Sequence, residues 1–158
     1  MTNKIKISLT ILCFFVYNLQ IFAQKPNFTG TWVLNLEKSQ LESRPKGLTS
    51  SVFVIKQEDD KYNLTRYHIF GDKKKKISFK LLADGQTRRV KVLFKGKLEW
   101  KENSLQASIW NKGFSNIVNY KFGNNQNEFI ADEVYNSKPH NHHNIWIFDL
   151  DNSKKVEN

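Results

Sequence analysis

Arg66 and His68 stand two residues apart in the run Tyr62-Asn63-Leu64-Thr65-Arg66-Tyr67-His68-Ile69-Phe70. On an extended strand both therefore point the same way as Tyr62, Leu64 and Phe70. A guanidinium suits a carboxylate or phosphate, because its planar fork donates two parallel hydrogen bonds. An imidazole beside it adds positive charge below its ordinary pKa of about 6.5. Arg88 ahead of Val90, Val92 and Phe94, Glu133 and Tyr135 on the face of Phe129 and Ala131, and Tyr120 on the face of Asn116, Val118 and Phe122 repeat the pattern. Each is a polar group among apolar ones, which is what gives an apolar pocket its specificity. Tyr62, Arg66, His68, Arg88, Tyr120, Glu133 and Tyr135 are the candidate ligand-binding residues. The alternative is that the charged ones pair with one another or keep their heads in water, since an unpaired buried charge is costly.

A second cluster follows Pro139, where His140-Asn141-His142-His143 places three imidazoles within four residues. These are candidates to share a zinc or nickel ion from a loop. On a strand His140 and His142 face one way and His143 the other, and none of the zinc-enzyme spacings is present. A solvated loop is the competing account. Nucleophilic catalysis has no support: there is no Gly-x-Ser-x-Gly elbow, no Ser, His and Asp marked out as a set, and the single cysteine is Cys13. Glycine loops for phosphate are absent too, so no cofactor is expected. An isomerase or hydrolase using His68 or the histidine cluster stands third, behind two binding functions.

The elements that must position these groups are short. Apolar runs over 50–57, 62–70, 77–82, 87–94, 98–101, 105–110, 116–122, 129–135 and 144–149 read as strands, and the segment around Trp32 makes ten. Turn formers separate them, among them Gly71-Asp72, Ala83-Asp84-Gly85-Gln86, Lys95-Gly96, Asn111-Lys112-Gly113 and Gly123-Asn124-Asn125. The stretch 37–48 reads as a loop with one helical turn near 37–41. Nothing leaves room for a long helix. Consecutive tight hairpins argue for an all-β antiparallel up-and-down barrel of about 8–10 strands, which removes exposed edges by closing on itself. On 50–57 and 144–149 both faces are apolar, so their inward sides stay open.

Met1 to Ala23 carries Lys4 and Lys6 ahead of Ile11-Leu12-Cys13-Phe14-Phe15-Val16 and ends on a small residue. This reads as a cleaved signal peptide, the apolar run being shorter than the roughly 20 residues of a membrane span. Leu12 is too bulky for a lipobox, so lipidation of Cys13 is set aside. Cleavage leaves 135 residues, one domain over 24–150 and a polar tail over 151–158. The location expected is periplasmic or secreted, with no transmembrane segment after cleavage, no disulfide and a monomeric state.

The formal charge of +10 becomes +8 without Lys4 and Lys6, and eleven basic residues between Lys73 and Lys101 oppose only Asp84 and Glu99. Such a patch favours an anionic lipid or polysaccharide surface, or serves as a solubilising face. Phe79, Phe94 and Trp100 interleave with it as in nucleic-acid binders, yet export argues against nucleic acid.

Asn27-Phe28-Thr29-Gly30-Thr31-Trp32-Val33-Leu34-Asn35-Leu36, followed by Lys38-Ser39, resembles the first strand of lipocalins and their calycin relatives. It looks most like small secreted bacterial lipocalin-like proteins. Gly30 would let the backbone enter where a side chain would crowd it, and Trp32 would close one end of the barrel. In lipocalins an Arg beyond the last strand covers that Trp; here Lys154 or Lys155 stands in its place, for no Arg follows Arg89. Val118-Asn119-Tyr120 is loosely similar to the second lipocalin motif. Fatty-acid-binding proteins begin similarly and have ten strands, but the helical pair and the late Arg-x-Tyr they need are not evident. The resemblance implies a barrel that holds a small apolar or amphiphilic ligand, one with an anionic group on the evidence of the arginines. The runner-up is an envelope module that works through its basic surface.

Overall fold

A computed structural model describes residues 25–152. The expected signal peptide with Cys13, and Lys154 and Lys155 as covers for Trp32, lie outside the described residues. Eleven strands follow in order: β1 (Gly30–Leu34), β2 (Gln40–Leu41), β3 (Ser50–Glu58), β4 (Lys61–Phe70), β5 (Lys73–Leu82), β6 (Arg88–Lys91), β7 (Phe94–Lys101), β8 (Ser104–Asn111), β9 (Phe114–Phe122), β10 (Glu128–Asn136) and β11 (His142–Leu150). Ten form one antiparallel path, β5-β4-β3-β1-β11-β10-β9-β8-β7-β6, and β2 pairs with β11. The sheet curls until β5 runs close to β7 without a ladder between them, leaving a nearly closed barrel. Among the described residues there is no α-helix, and no helix is long and apolar enough to cross a membrane.

Alternation decides what faces inward. Phe53 and Ile55 on β3, Leu64 on β4, Phe129 and Ala131 on β10, and Trp146 and Phe148 on β11 are all buried, with more exposed residues between them. The interior divides into a packed floor and an open half. Trp32, Phe28, Phe129 and Phe148 are almost wholly buried at the floor. The Trp32 indole N–H donates to the Phe28 carbonyl at 3.0 Å, and its ring lies 5.2 Å from Phe129 and 6.1 Å from Phe122. Backbone and aromatic rings thus cover Trp32 within the described barrel. A Cβ on Gly30 would stand 3.1 Å from Leu150 Cδ1 and 3.2 Å from Trp32 Nε1, so the floor is crowded at that point.

Two elements differ from the reading of the sequence. The stretch after β1 forms turns and then β2, whose Gln40 and Leu41 pair with Ile145 and Asn144. The Asn144 side chain locks this strand by accepting from Ser43 N at 3.0 Å and donating to Ser43 O at 3.0 Å. The expected strand over 87–94 is also divided, because the turn falls at Val92-Leu93 while Lys95-Gly96 lies inside β7. Gly96 marks a close approach and not a turn: a Cβ there would sit 2.7 Å from Val90 Cγ1.

Strand direction sorts the turns. Those over 58–61, 82–88, 101–104 and 122–128 gather at the Trp32 floor. Those over 42–49, 70–73, 91–94, 111–114 and 136–142 form the opposite rim, where Phe94, Phe114, Tyr135 and His142 make a row of ring contacts.

Candidate ligand-binding site

Between floor and rim lies a cavity of about 140 Å³. Phe53, Leu64, Ile77, Phe79, Leu81, Ala107, Ile109, Val118 and Tyr120 supply apolar wall, and Arg66, His68, Asn116 and Glu133 supply polar groups. The polar groups arrive by cross-strand register. Arg66 is opposite Phe53 on β3 and Ile77 on β5, and His68 is opposite Ser51 and Lys75. Side chains on the same sheet face also reach diagonal neighbours. Arg66 Nε accordingly donates to Ser51 Oγ, one residue pair away, at 3.1 Å.

The guanidinium lies over aromatic surface, its carbon 4.1 Å from the centre of the Trp146 ring and 5.3 Å from that of Phe148. Stacking of this kind is a property of arginine more than lysine. Each oxygen of Glu133 accepts one hydrogen bond: Trp146 Nε1 donates to Oε2 at 2.6 Å and Asn116 Nδ2 to Oε1 at 2.7 Å. No ion pair joins Arg66 to Glu133, and one terminal nitrogen of Arg66 is buried without a partner. So is His68 Nδ1. The site therefore presents a cation with a spare donor together with a carboxylate that Trp146 and Asn116 hold in place. Asn116 Oδ1, on the same cavity wall, is also buried without a partner; buried polar atoms are rarely left unmet, so these three orphans call for a ligand or water.

The electrostatics follow from burial. Desolvation pulls the Arg66 pKa down, opposed by the charges of Glu133 and Tyr120. Burial pushes the Tyr120 phenol up, with Arg66 opposing and Glu133 adding to the rise. His68 is lowered to about 4, first by burial and then by the Arg66 charge, so mild acidification does not protonate it. The expectation that its ordinary pKa would add charge in the weakly acidic range is thus corrected.

Arg66, His68, Tyr120 and Glu133 converge on this cavity, and the other candidates lie elsewhere. Tyr62 is buried, but it fronts a separate groove toward the floor with Lys56, Lys61 and Lys80. Burial and then the charge of Asp60 push its phenol up to about 12, against the nearby Trp100 N–H. Arg88 is at the surface, its two terminal nitrogens on the two oxygens of Asp84 at 2.6 and 2.5 Å. That pairing holds the Asp84 carboxyl at about 2. Tyr135 stacks on His142 at the rim, with ring centres 4.5 Å apart. The histidine cluster is dispersed: His140 is exposed in a turn, and His143 Nε2 is 2.7 Å from Asp132 Oδ1 on the opposite face from His142. Among the described residues no group of three or more His, Cys, Asp or Glu is placed to hold a metal ion. Sequence reasoning missed Ser51, Asn116 and Trp146. Ser51 and Trp146 lie on the two strands with apolar residues on both faces, and Asn116 had a visible signal in sharing the face of Tyr120.

No protein-family model and no curated protein matches this chain. Solved structures do. The barrel is similar to secretory abundant heat soluble protein 4 from Ramazzottius varieornatus, with TM-score 0.52 and 17% identity over 81% of this chain and 97% of that one. It is similar to Echinococcus granulosus fatty-acid-binding protein 1, with TM-score 0.51 and 13% identity over 78% of this chain and 96% of that one. It is similar too to the zebrafish ileal bile acid-binding protein complexed with cholic acid, with TM-score 0.50 and 12% identity over 78% and 98%. The fold is of the calycin type. At these identities the likeness reaches the fold alone. The connection from β1 to β3 in this chain holds turns and the short β2, without a helix.

Proposed function

We propose that this chain is an exported lipocalin-like binding protein that holds a small amphiphile with an anionic head in its barrel. One observation carries the reading: the Arg66 guanidinium is stacked inside an apolar cavity with a spare buried donor, next to the unpartnered Nδ1 of His68. An anionic oxygen is the natural complement of both, provided His68 offers its proton from Nδ1. Glu133 is engaged by Trp146 and Asn116 and makes no ion pair with Arg66, so the spare donor stays available.

Size narrows the ligand. The cavity of about 140 Å³ is near that of one benzene-sized guest and below the roughly 300 Å³ at which ligand pockets usually begin. It takes a compact anion, or the head of an amphiphile whose tail runs out between the rim aromatics. A short fluorescent fatty acid and its methyl ester, titrated into the wild type and into the double variant Arg66→Met, His68→Leu, test this. The acid loses affinity in the variant and the ester does not. Equal affinities, or no saturable binding to the wild type, would sink the reading.

A second reading has its own support. Lys73, Lys74, Lys75 and Lys76 are all exposed on the edge strand β5, so the protein also suits an envelope module that engages anionic surfaces.

A further inference from the structure

We propose that the rim end of the barrel docks on an anionic lipid bilayer, with the hairpin tip Val92-Leu93 inserted among the acyl chains and the surrounding cations on the lipid phosphates. This rests on the surface reading and supplies its location and geometry.

Val92 is 76% exposed and Leu93 75%, and among the described residues the only other exposed large hydrophobic is Val134 at 39%. Turns ordinarily carry polar residues, so two adjacent aliphatic side chains held in water at the β6–β7 turn mark an interaction site. The tip is braced. Arg89 donates to the Val92 carbonyl from Nε at 3.0 Å and from a terminal nitrogen at 2.5 Å. A carbonyl entering hydrocarbon must keep a donor, and this one carries its own. The same guanidinium then lies just behind the tip, at the depth of the phosphates. Lys91 and Lys95 flank the turn. Opposite Lys95 on β8 is Trp110, half-buried on the outer face at the rim, the residue type that favours the headgroup layer.

Charge orients the whole molecule. The rim turns hold Arg44, Lys46, Lys73, Lys91, Lys112 and Lys138 against Glu42 and Asp72, whereas the floor turns hold six carboxylates against three cations. An anionic surface therefore attracts one end and repels the other. A polysaccharide would use the charge and leave the aliphatic tip in water. A bilayer uses both, and it meets the barrel at the end opposite the packed floor.

Hydrogen exchange of the full chain, with and without vesicles of mixed phosphatidylglycerol and phosphatidylcholine, tests the proposal. Exchange over 88–96 slows about 10-fold on the anionic vesicles, stays unchanged over the floor turn 101–104, and is unaffected by pure phosphatidylcholine. The double variant Val92→Ser, Leu93→Ser loses that protection and binds anionic vesicles about 10-fold more weakly, as insertion scaled by apolar area requires. Its thermal melt matches the wild type, because the exposed side chains support no packing. If the variant binds anionic vesicles as tightly as the wild type, insertion is overturned while the surface reading stands. If the wild type binds no anionic vesicle, both fall. Equal protection on neutral lipid overturns the role of the cations.

Discussion

Arg66 and Trp146 form one unit: the guanidinium carbon lies 4.1 Å from the centre of the indole ring, and the indole N–H at the ring edge donates to Glu133 at 2.6 Å. The ring thus touches the cation with its face and the carboxylate with its edge. Two opposite charges share a small apolar space without a direct ion pair, and the cation keeps a free donor.

Trp146→Phe keeps a ring beneath Arg66 and removes the donor to Glu133. A buried carboxylate oxygen then loses its partner, at a cost of about 1–3 kcal/mol. Denaturant melts measure this. A loss below about 0.5 kcal/mol would show that water or Asn116 takes over the bond.

Arg66→Lys keeps the charge and loses the flat fork, so the side chain cannot lie on Trp146 and reach Ser51 together. Affinity for a short fluorescent fatty acid falls about 10-fold, although the formal charge is unchanged. Unaltered affinity would mean that the charge alone, and not the stacked geometry, attracts the ligand.

Stability falls on acidification through His68. Its pKa is about 4 in the folded barrel against an ordinary 6.5, so between those values the unfolded chain binds a proton that the folded chain refuses. The contribution is complete above pH 6.5 and is lost as pH drops toward 4. Urea midpoints of the wild type therefore decline more steeply over this window than those of His68→Leu. Parallel declines would show that His68 titrates normally.

Trp32→Ala removes the centre of the floor, where the ring packs on Phe122 and Phe129 and its N–H holds Phe28. The loss is about 3–5 kcal/mol, the range for deleting a large buried aromatic. A change below about 1 kcal/mol would remove the floor-closing role.

Gly96→Ala pushes a methyl group toward Val90, whose Cγ1 would be 2.7 Å away. Overpacking of this kind costs about 1–3 kcal/mol, and here it acts on the β6–β7 hairpin. Faster exchange confined to 88–96 is the expected signature; a uniform change over the barrel would place the strain elsewhere.

Period-two alternation was enough to put Tyr62, Leu64, Arg66 and His68 on one inward face, and turn-forming residues were enough to mark an antiparallel barrel, because both depend on neighbours within a few residues. The floor residue Trp32 was legible for the same reason, inside a local motif. What Arg66 touches was not. Its partners Ser51, Trp146 and Phe148 come from β3 and β11, whose faces are both apolar in sequence, and only inter-strand register selects the inward one. Arg88 and Tyr135 obey the same alternation as Arg66, yet one bonds Asp84 at the surface and the other stacks on His142 at the rim, since height along the barrel depends on strand stagger. His140, His142 and His143 are close in sequence and face apart in space. Spacing along the chain determines a side chain's direction on its strand, while pairing between strands determines what it meets there, and that second quantity exists only once the barrel has closed.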